Sequence, residues 1–247
     1  MADREDVTVP EDEHTRIEGD IVAIEVGATT KEIFHVHKKL LMARSAYFKK
    51  ALHNVGSAFS RLKLANVEIA TFDLYVQYIY TGRLPYKTVN DGFEEMVDLY
   101  LAAGRLEDSG TMNATIDAML AFHAATDFVP ASSIIQKVYK ATEPGSGIRH
   151  LFVDIHLWSE DPAMIDEEYD DPRDFLLDLS KAALQQLKAK SEDEEVASYE
   201  TASCCDYHDH SNGAKCNNRK RKRDDSDAEA SEASGDKDSR ADSLSPT

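Results

Sequence analysis

The spacing of hydrophobic positions changes from that of strands to that of helices near residue 38. Residues 21–26 (IVAIEV) and 32–37 (EIFHVH) each alternate as a strand does, and residues 27–30 supply a short polar turn between them. This arrangement favours an antiparallel hairpin. Helical spacing follows, and Ser45 is placed to cap the second of two short helices. The apolar positions of these two helices are Leu40, Leu41, Tyr47, Phe48 and Leu52.

A second set of elements continues the pattern to about residue 125. Residues 62–64 alternate as in a third short strand, and the amphipathic helix after them ends at Thr81 and Gly82. A break around Gly110 then separates two further apolar helical faces. These faces consist of Phe93, Met96, Val97 and Tyr100, and then of Met112, Ile116, Met119 and Leu120. Helices therefore dominate after the third strand.

Hydrophobic residues of the core type continue into the second half of the chain. They recur between residues 134 and 155, with a loop at residues 144–147. A last helix is predicted to open with Asp171 as its N-cap and Pro172 at its first position. Its apolar stripe contains Phe175, Leu176, Leu179, Ala183 and Leu187. Aliphatic residues almost disappear from residue 191 onward, so burial cannot offset the entropy of folding and this tail is predicted to be disordered.

Composition and charge restrict the classes of function. Hydrophobic residues make up 42% of the 247 residues, enough for a core, and the formal net charge is −18. Because phosphate binding needs a positive face, this charge argues against sequence-independent binding of nucleic acid by the whole molecule. No apolar stretch is long enough to span a membrane, and the charged residues 3–6 argue against a signal peptide. All cysteines lie after residue 203, so we expect a core without disulfides and a reducing compartment, the cytosol or the nucleus.

Three stretches of the sequence resemble BTB/POZ domains. They are FHVHKKLLMARSAYFKKAL (34–52), YVQYIYTG (75–82) and LYLAAGRLED (99–108), and they follow one another in the order and spacing of that family. The aspartate and apolar strand that open the family's domains are matched at residues 20–22. The positions carrying the family motif are Asp20, Phe34, His37, Leu41, Ser45, Tyr47, Phe48, Tyr80, Thr81 and Gly82. The resemblance implies an α+β fold in which a cluster of α-helices caps a short mixed β-sheet.

The region after this domain resembles a helical extension. Residues 129–158 are similar to the extension of BTB proteins that are abundant in filamentous fungi. The predicted organisation has four parts: a disordered acidic leader (1–17), the BTB/POZ domain (18–125), the helical extension (126–190) and the disordered tail (191–247).

The resemblance implies a non-enzymatic module that binds other proteins as a scaffold or adaptor. One alternative is a substrate adaptor that binds the cullin scaffold of a ubiquitin ligase. Many such domains carry a hydrophobic-x-glutamate triplet before the third strand, whereas this chain has Phe59-Ser60-Arg61, and the arginine reverses the local charge. The family also forms homodimers through a swapped leader. Residues 1–16 lack an apolar stripe for that purpose, which leaves another face for self-association.

Catalytic residues are not predicted. The sequence contains no glycine-rich phosphate loop, no nucleophile elbow and no HExxH helix. His35 and His37 share one face of the second strand, as a metal or catalytic pair would. BTB domains usually carry a histidine at the position of His37, where it satisfies backbone groups and packs. A structural role is therefore predicted for both histidines, and no cofactor is expected in the domain.

The tail contains a cluster of potential zinc ligands. Cys205, His208, His210 and Cys216 have the spacing C-x2-H-x-H-x5-C, and Cys204 is an alternative first ligand. Four such donors could close a tetrahedral zinc site, although the polar residues between them need not fold. A zinc-dependent enzyme that uses the tail histidines is the alternative from a different functional class.

A run of basic residues follows this cluster in an otherwise acidic tail. Arg219, Lys220, Arg221, Lys222 and Arg223 fit a nuclear localisation signal, which an importin would bind through its acidic groove. The competing interpretation is a neutralising patch or a weak nucleic-acid arm. The predicted location is the nucleus, the cytoplasm or both.

Overall fold

The strands and helices follow one another in the predicted order. A computed structural model describes residues 19–53, 61–85, 91–159, 165, 170–191 and 204–210. The strands are β1 (Ile21–Val26), β2 (Glu32–His37) and β3 (Arg61–Leu64). The helices are α1 (Lys38–Arg44), α2 (Ala46–Leu52), α3 (Ile69–Thr81), α4 (Asp91–Arg105), α5 (Ser109–Thr126), α6 (Ser132–Ala141), α7 (Gly147–Trp158) and α8 (Arg173–Ser191), with a short 3-10 turn at Cys204–Asp206. All of these elements belong to one unit, residues 1–215.

The three strands form a small mixed sheet in the order β2-β1-β3. Ile24 of β1 lies opposite Phe34 in an antiparallel pair with β2, and opposite Leu62 in a parallel pair with β3. Alternate residues of β1 are buried, because a strand directs successive side chains to opposite faces of the sheet. The predicted hairpin, the third strand and the α+β class are confirmed.

Two hydrophobic cores share helix α4. The N-terminal core contains the inner face of the sheet, helices α1 to α3, and one face of α4 that includes Leu99 and Ala102. The C-terminal core contains the opposite face of α4, with Phe93 and Val97, together with residues from α5, α6, α7 and α8. The predicted boundary at residues 125 and 126 therefore falls inside the C-terminal core. Helices α4 and α5 tie the predicted extension to the predicted domain.

The predicted break near Gly110 falls at residues 106–108, between α4 and α5, whereas one predicted helix start is wrong. Helix α5 begins at Ser109, and the Asp108 side chain caps it by accepting a hydrogen bond from the backbone N–H of Thr111 at 2.9 Å. Helix α8 begins at Arg173, two residues after the predicted N-cap. Within the described part of the chain, Oδ1 of Asp171 has no hydrogen-bond partner, so this oxygen does not cap the helix.

Helix α8 extends beyond the C-terminal core. Phe175 and Leu179 are buried as predicted, but Leu187 from the same predicted stripe is 64% exposed. The stripe was predicted from spacing alone, and spacing does not show where the neighbouring helices end. Among the described residues, no helix combines the length and apolar character that crossing a bilayer requires.

Candidate interaction surfaces

The family-motif histidine links the sheet to helix α3. The hydroxyl of Tyr80 accepts a hydrogen bond from the backbone N–H of His37 at 3.0 Å and lies 2.6 Å from Nδ1 of the same residue. At the same corner, the carbonyl oxygen of Asp20 accepts the backbone N–H of Lys38 at 2.8 Å. The imidazole of His37 thus pairs with a tyrosine hydroxyl, whereas the sequence predicted pairing with backbone groups. Its neighbour His35 is exposed on β2.

Ser45 joins α2 to the end of α4. Its Oγ accepts the backbone N–H of Phe48 at 3.0 Å, which confirms the predicted N-cap of α2. The same hydroxyl donates to the carbonyl oxygen of Leu106 at 2.5 Å. The buried hydroxyl of Ser45 therefore acts as both a donor and an acceptor within the fold. Leu41 and Phe48 are fully buried on either side of it, and the ring of Tyr47 packs edge-on against Phe48.

A buried carboxylate connects α1, α3 and α5. Asp108 is 1% exposed and accepts hydrogen bonds from the hydroxyl of Tyr75 at 3.0 Å and from both the backbone N–H and the hydroxyl of Thr111. The guanidinium of Arg44 lies 3.7 Å from the same carboxylate and 4.9 Å from the ring centroid of Tyr78. Burial, followed by the nearby Asp108 charge, raises the pKa of the Tyr75 hydroxyl. Since a buried charge is stable only when it is paired, this network holds the helices in one arrangement.

Helix α3 ends at the Thr-Gly turn of the motif. Gly82 adopts φ +66°, and its N–H donates to the carbonyl oxygen of Tyr78 at 2.8 Å, closing the helix with a left-handed cap. The hydroxyl of Thr81 donates to the carbonyl oxygen of Gln77 at 2.7 Å and accepts the N–H of Arg83. Phe34 reaches this helix from β2 by packing edge-on against Phe72.

Comparison with known proteins matches this arrangement to one family. The model of the BTB/POZ domain family matches residues 20–121. These residues form a BTB/POZ domain. Similar solved structures include the BTB domain of human gigaxonin (TM-score 0.32, 19% identity, 39% of this chain and 74% of that chain) and the BTB domain of zebrafish PATZ1 (TM-score 0.31, 20% identity, 39% and 73%). No curated protein matched the chain.

The BTB domain makes this part of the chain a protein–protein interaction module. The aromatic residues of α3 are not free to form its partner surface. Tyr75 is fully buried, Tyr80 binds His37, and Tyr78 lies beneath Arg44. Tyr75 thus belongs to the N-terminal core, and Tyr78 and Tyr80 pack against it.

The edge of the BTB domain at β3 carries an ion pair. Arg61, the last residue of the triplet considered for cullin binding, places Nη1 3.3 Å from Oε2 of Glu25. Phe59 and Ser60 lie outside the described residues. Lys31 also contacts Glu25 at 3.2 Å and is the main cause of the lowered pKa of this carboxyl, with Arg61 adding to it. The positive charge at this position is thus partly balanced from β1.

Part of the predicted disordered tail packs on α5 and α7. Residues 204–210, here called the docked segment, lie against α5 and α7, and Tyr207 is 3% exposed within the C-terminal core. The hydroxyl of Tyr207 donates to Asp154 at 2.7 Å. The prediction of disorder needs correction for these residues, because one buried aromatic ring offsets part of the entropy that their polar composition leaves uncompensated.

The candidate zinc ligands in this segment have other contacts. His208 places Nε2 3.1 Å from Oδ1 of Asp117, and its ring centroid is 6.2 Å from that of His210. Cys205 is exposed, while Cys216 and the basic run 219–223 lie outside the described residues. Within the described ranges, no three His, Cys, Asp or Glu side chains are grouped closely enough to hold a metal ion. The four-ligand zinc site stays a prediction.

Ser132, His156 and Asp171 line a small cavity of about 190 Å³. A nucleophilic serine needs a hydrogen-bonded histidine and an acid that orients it. Nδ1 of His156 instead lies 2.7 Å from the carbonyl oxygen of Phe152. Among the described residues, Oγ of Ser132 and Oδ1 of Asp171 have no hydrogen-bond partner. The hydrogen-bond chain of a hydrolase is therefore not formed between these three side chains.

Sequence reasoning missed Asp108 and Tyr207. Asp108 stood at the end of a matched motif, but its burial depends on partners far away in sequence, such as Tyr75. Tyr207 is one of two tyrosines in a polar tail, with Tyr199, and nothing in the local sequence distinguishes it as the anchor.

Proposed function

We propose that the chain is a non-enzymatic scaffold or adaptor whose BTB domain binds another protein. The observation that supports the proposal is that the polar groups of the family motif bind one another inside the fold. His37 binds Tyr80, Ser45 binds Leu106, and Asp108 binds Tyr75, so each of these groups stabilises the fold instead of facing a substrate. Members of such a family therefore differ in their exposed surfaces, and these surfaces recognise the partners.

Affinity purification of the full-length tagged chain tests this proposal. We expect specific proteins, identified by mass spectrometry, to be enriched over a tag-only control. The full chain is needed because Tyr207 completes the C-terminal core. Partner capture should be the same for the Ser132→Ala variant, since a scaffold needs no nucleophile. Enrichment of no protein, or loss of capture in Ser132→Ala with unchanged folding, would contradict the proposal.

The same purification separates a scaffold from a cullin adaptor. Because Arg61 replaces the expected carboxylate, we propose that wild type binds no cullin scaffold. The Arg61→Glu variant restores the charge and serves as the matched comparison. Recovery of a cullin with the wild-type chain would show that the chain is a ligase adaptor. Recovery with the Arg61→Glu variant alone would agree with the proposal.

We further propose that the chain enters the nucleus through the basic run Arg219 to Arg223. The proposal rests on the concentration of positive charge in a segment whose overall composition is acidic. Replacing the five residues by alanine in a fluorescent fusion should reduce the ratio of nuclear to cytoplasmic signal. An unchanged ratio would refute the nuclear role of this run.

A further inference from the structure

The docked segment binds its groove as a short linear peptide binds a receptor. The groove, here called the docking groove, consists of Asn113 and Asp117 on α5 and of Gly147 and Asp154 on α7. It receives one aromatic anchor, the ring of Tyr207, whose hydroxyl reaches Asp154 at 2.7 Å. A buried tyrosine with a paired hydroxyl is a common anchor of protein interfaces.

Asn113 binds the backbone of the docked segment and not a side chain. Its Nδ2 donates to the carbonyl oxygen of Asp209 at 3.0 Å, and its Oδ1 accepts the N–H of the same residue at 2.8 Å. A two-point contact of this kind fixes the direction and register of a peptide whatever its sequence, as backbone pairing does in peptide-binding domains.

Gly147 allows the backbone of Tyr207 to approach α7 closely. A Cβ atom at this position would overlap the carbonyl oxygen of Tyr207. The first residue of α7 must therefore lack a side chain for the docked segment to lie on it. Gly104 in α4 offers a contrast, because a Cβ there would meet only Met112 at the ordinary distance of 3.8 Å.

The charge of the docking groove defines which peptide fits. Burial raises the pKa of Asp154, and the hydrogen bond from Tyr207 opposes this shift. The half-buried carboxylate of Asp154 thus favours a ligand that brings a hydroxyl donor to it, as Tyr207 does. Asp117 is 56% exposed and meets the largely buried side chain of His208 directly after the tyrosine. The groove therefore matches a tyrosine followed by histidine, lysine or arginine.

We propose that the docking groove is a binding site for a linear peptide of a partner protein that contains tyrosine followed by a basic residue, and that residues 204–210 occupy it as an internal competitor. Residues 192–203 tether this competitor to the end of α8. Short tethers give effective concentrations on the order of 1 mM, so if the docked segment has an intrinsic Kd of about 0.1 mM for the groove, a partner peptide would bind roughly tenfold more weakly to the wild-type chain. The inference goes beyond binding by the BTB domain, because Gly147 and Asp154 of the groove lie on α7, outside the matched residues 20–121.

Fluorescence polarisation with a labelled synthetic peptide tests the proposal. The probe is residues 202–212 with both cysteines replaced by serine. We expect saturable binding to the full-length Tyr207→Ala protein that is about tenfold tighter than to wild type. Binding should be lost when the probe itself carries Tyr207→Ala, and when Gly147→Ala is added to the protein. Adding Gly104→Ala instead should leave binding unchanged.

A second measurement does not require the Tyr207→Ala protein to fold. A protease site placed within residues 192–203 of the full chain lets the tail be cut from the folded protein. The cut tail should dissociate on dilution and be displaced by the probe, but not by its Tyr207→Ala form. Equal probe binding by wild type and Tyr207→Ala, or retained binding with Gly147→Ala, would overturn the proposal. So would a dimer in wild type that Tyr207→Ala converts to monomer, since the segment would then come from a second copy.

Discussion

Removal of the buried Asp108 carboxylate should destabilise the BTB domain strongly. Asp108→Ala deletes the N-cap of α5 and leaves the Tyr75 hydroxyl without its acceptor. Loss of such a cap costs about 1 kcal/mol. A buried hydroxyl without a partner costs about 1 to 3 kcal/mol more. The ion pair with the partly exposed Arg44 adds about 0 to 1 kcal/mol. We therefore expect the free energy of unfolding to fall by about 2 to 5 kcal/mol.

Urea unfolding followed by far-UV circular dichroism measures this loss. Asp73 lies exposed on α3, so Asp73→Ala is the matched control, and its effect should stay within about 0.5 kcal/mol. The double variant Tyr75→Phe/Asp108→Ala should be less destabilised than the sum of the single variants, because Phe removes the hydroxyl that Asp108→Ala leaves unpaired. A loss below about 1 kcal/mol for Asp108→Ala, or strictly additive effects, would refute the assignment of Asp108 as the centre of the network.

Three further predictions concern a titrating group, a turn and the shared core. Burial lowers the pKa of His156 from 6.5, so the neutral ring is favoured in the folded state. The contribution of His156 to stability is present above pH 6.5 and is lost as the pH falls through the folded pKa. In the His156→Gln variant, the free energy of unfolding in urea should therefore fall less between pH 7.5 and 5.5 than in wild type. An unchanged dependence of this free energy on pH would contradict the prediction. Gly82→Ala should cost about 1 kcal/mol through backbone strain alone, because no atom lies within 4 Å of the added Cβ, and Gly82→Asn should cost less in the same assay. A chain ending at residue 125 exposes the side of Phe93 and Phe122 that packs on the extension, so it should aggregate in size-exclusion chromatography. A stable monomer would show that the two cores are independent.

Local pattern was sufficient for the elements of the BTB domain. Alternation in residues 21–26 and 32–37 identified the hairpin, since a strand buried on one face must alternate. Ser45 identified a helix start because a cap acts only on the next three residues. The motif order identified the fold family, and the matched range 20–121 agrees with it.

Only the tertiary structure decided how these elements share their cores and where the tail binds. Helix α4 is apolar on two faces, and its sequence does not say that Leu99 and Val97 belong to different cores. The exposure of Leu187 depends on where its neighbouring helices end. Tyr207 is buried because Asp154 and Gly147, more than fifty residues away, form a site for it. Contacts of this kind join residues that are distant in sequence, so they produce no local periodic pattern from which they could be predicted.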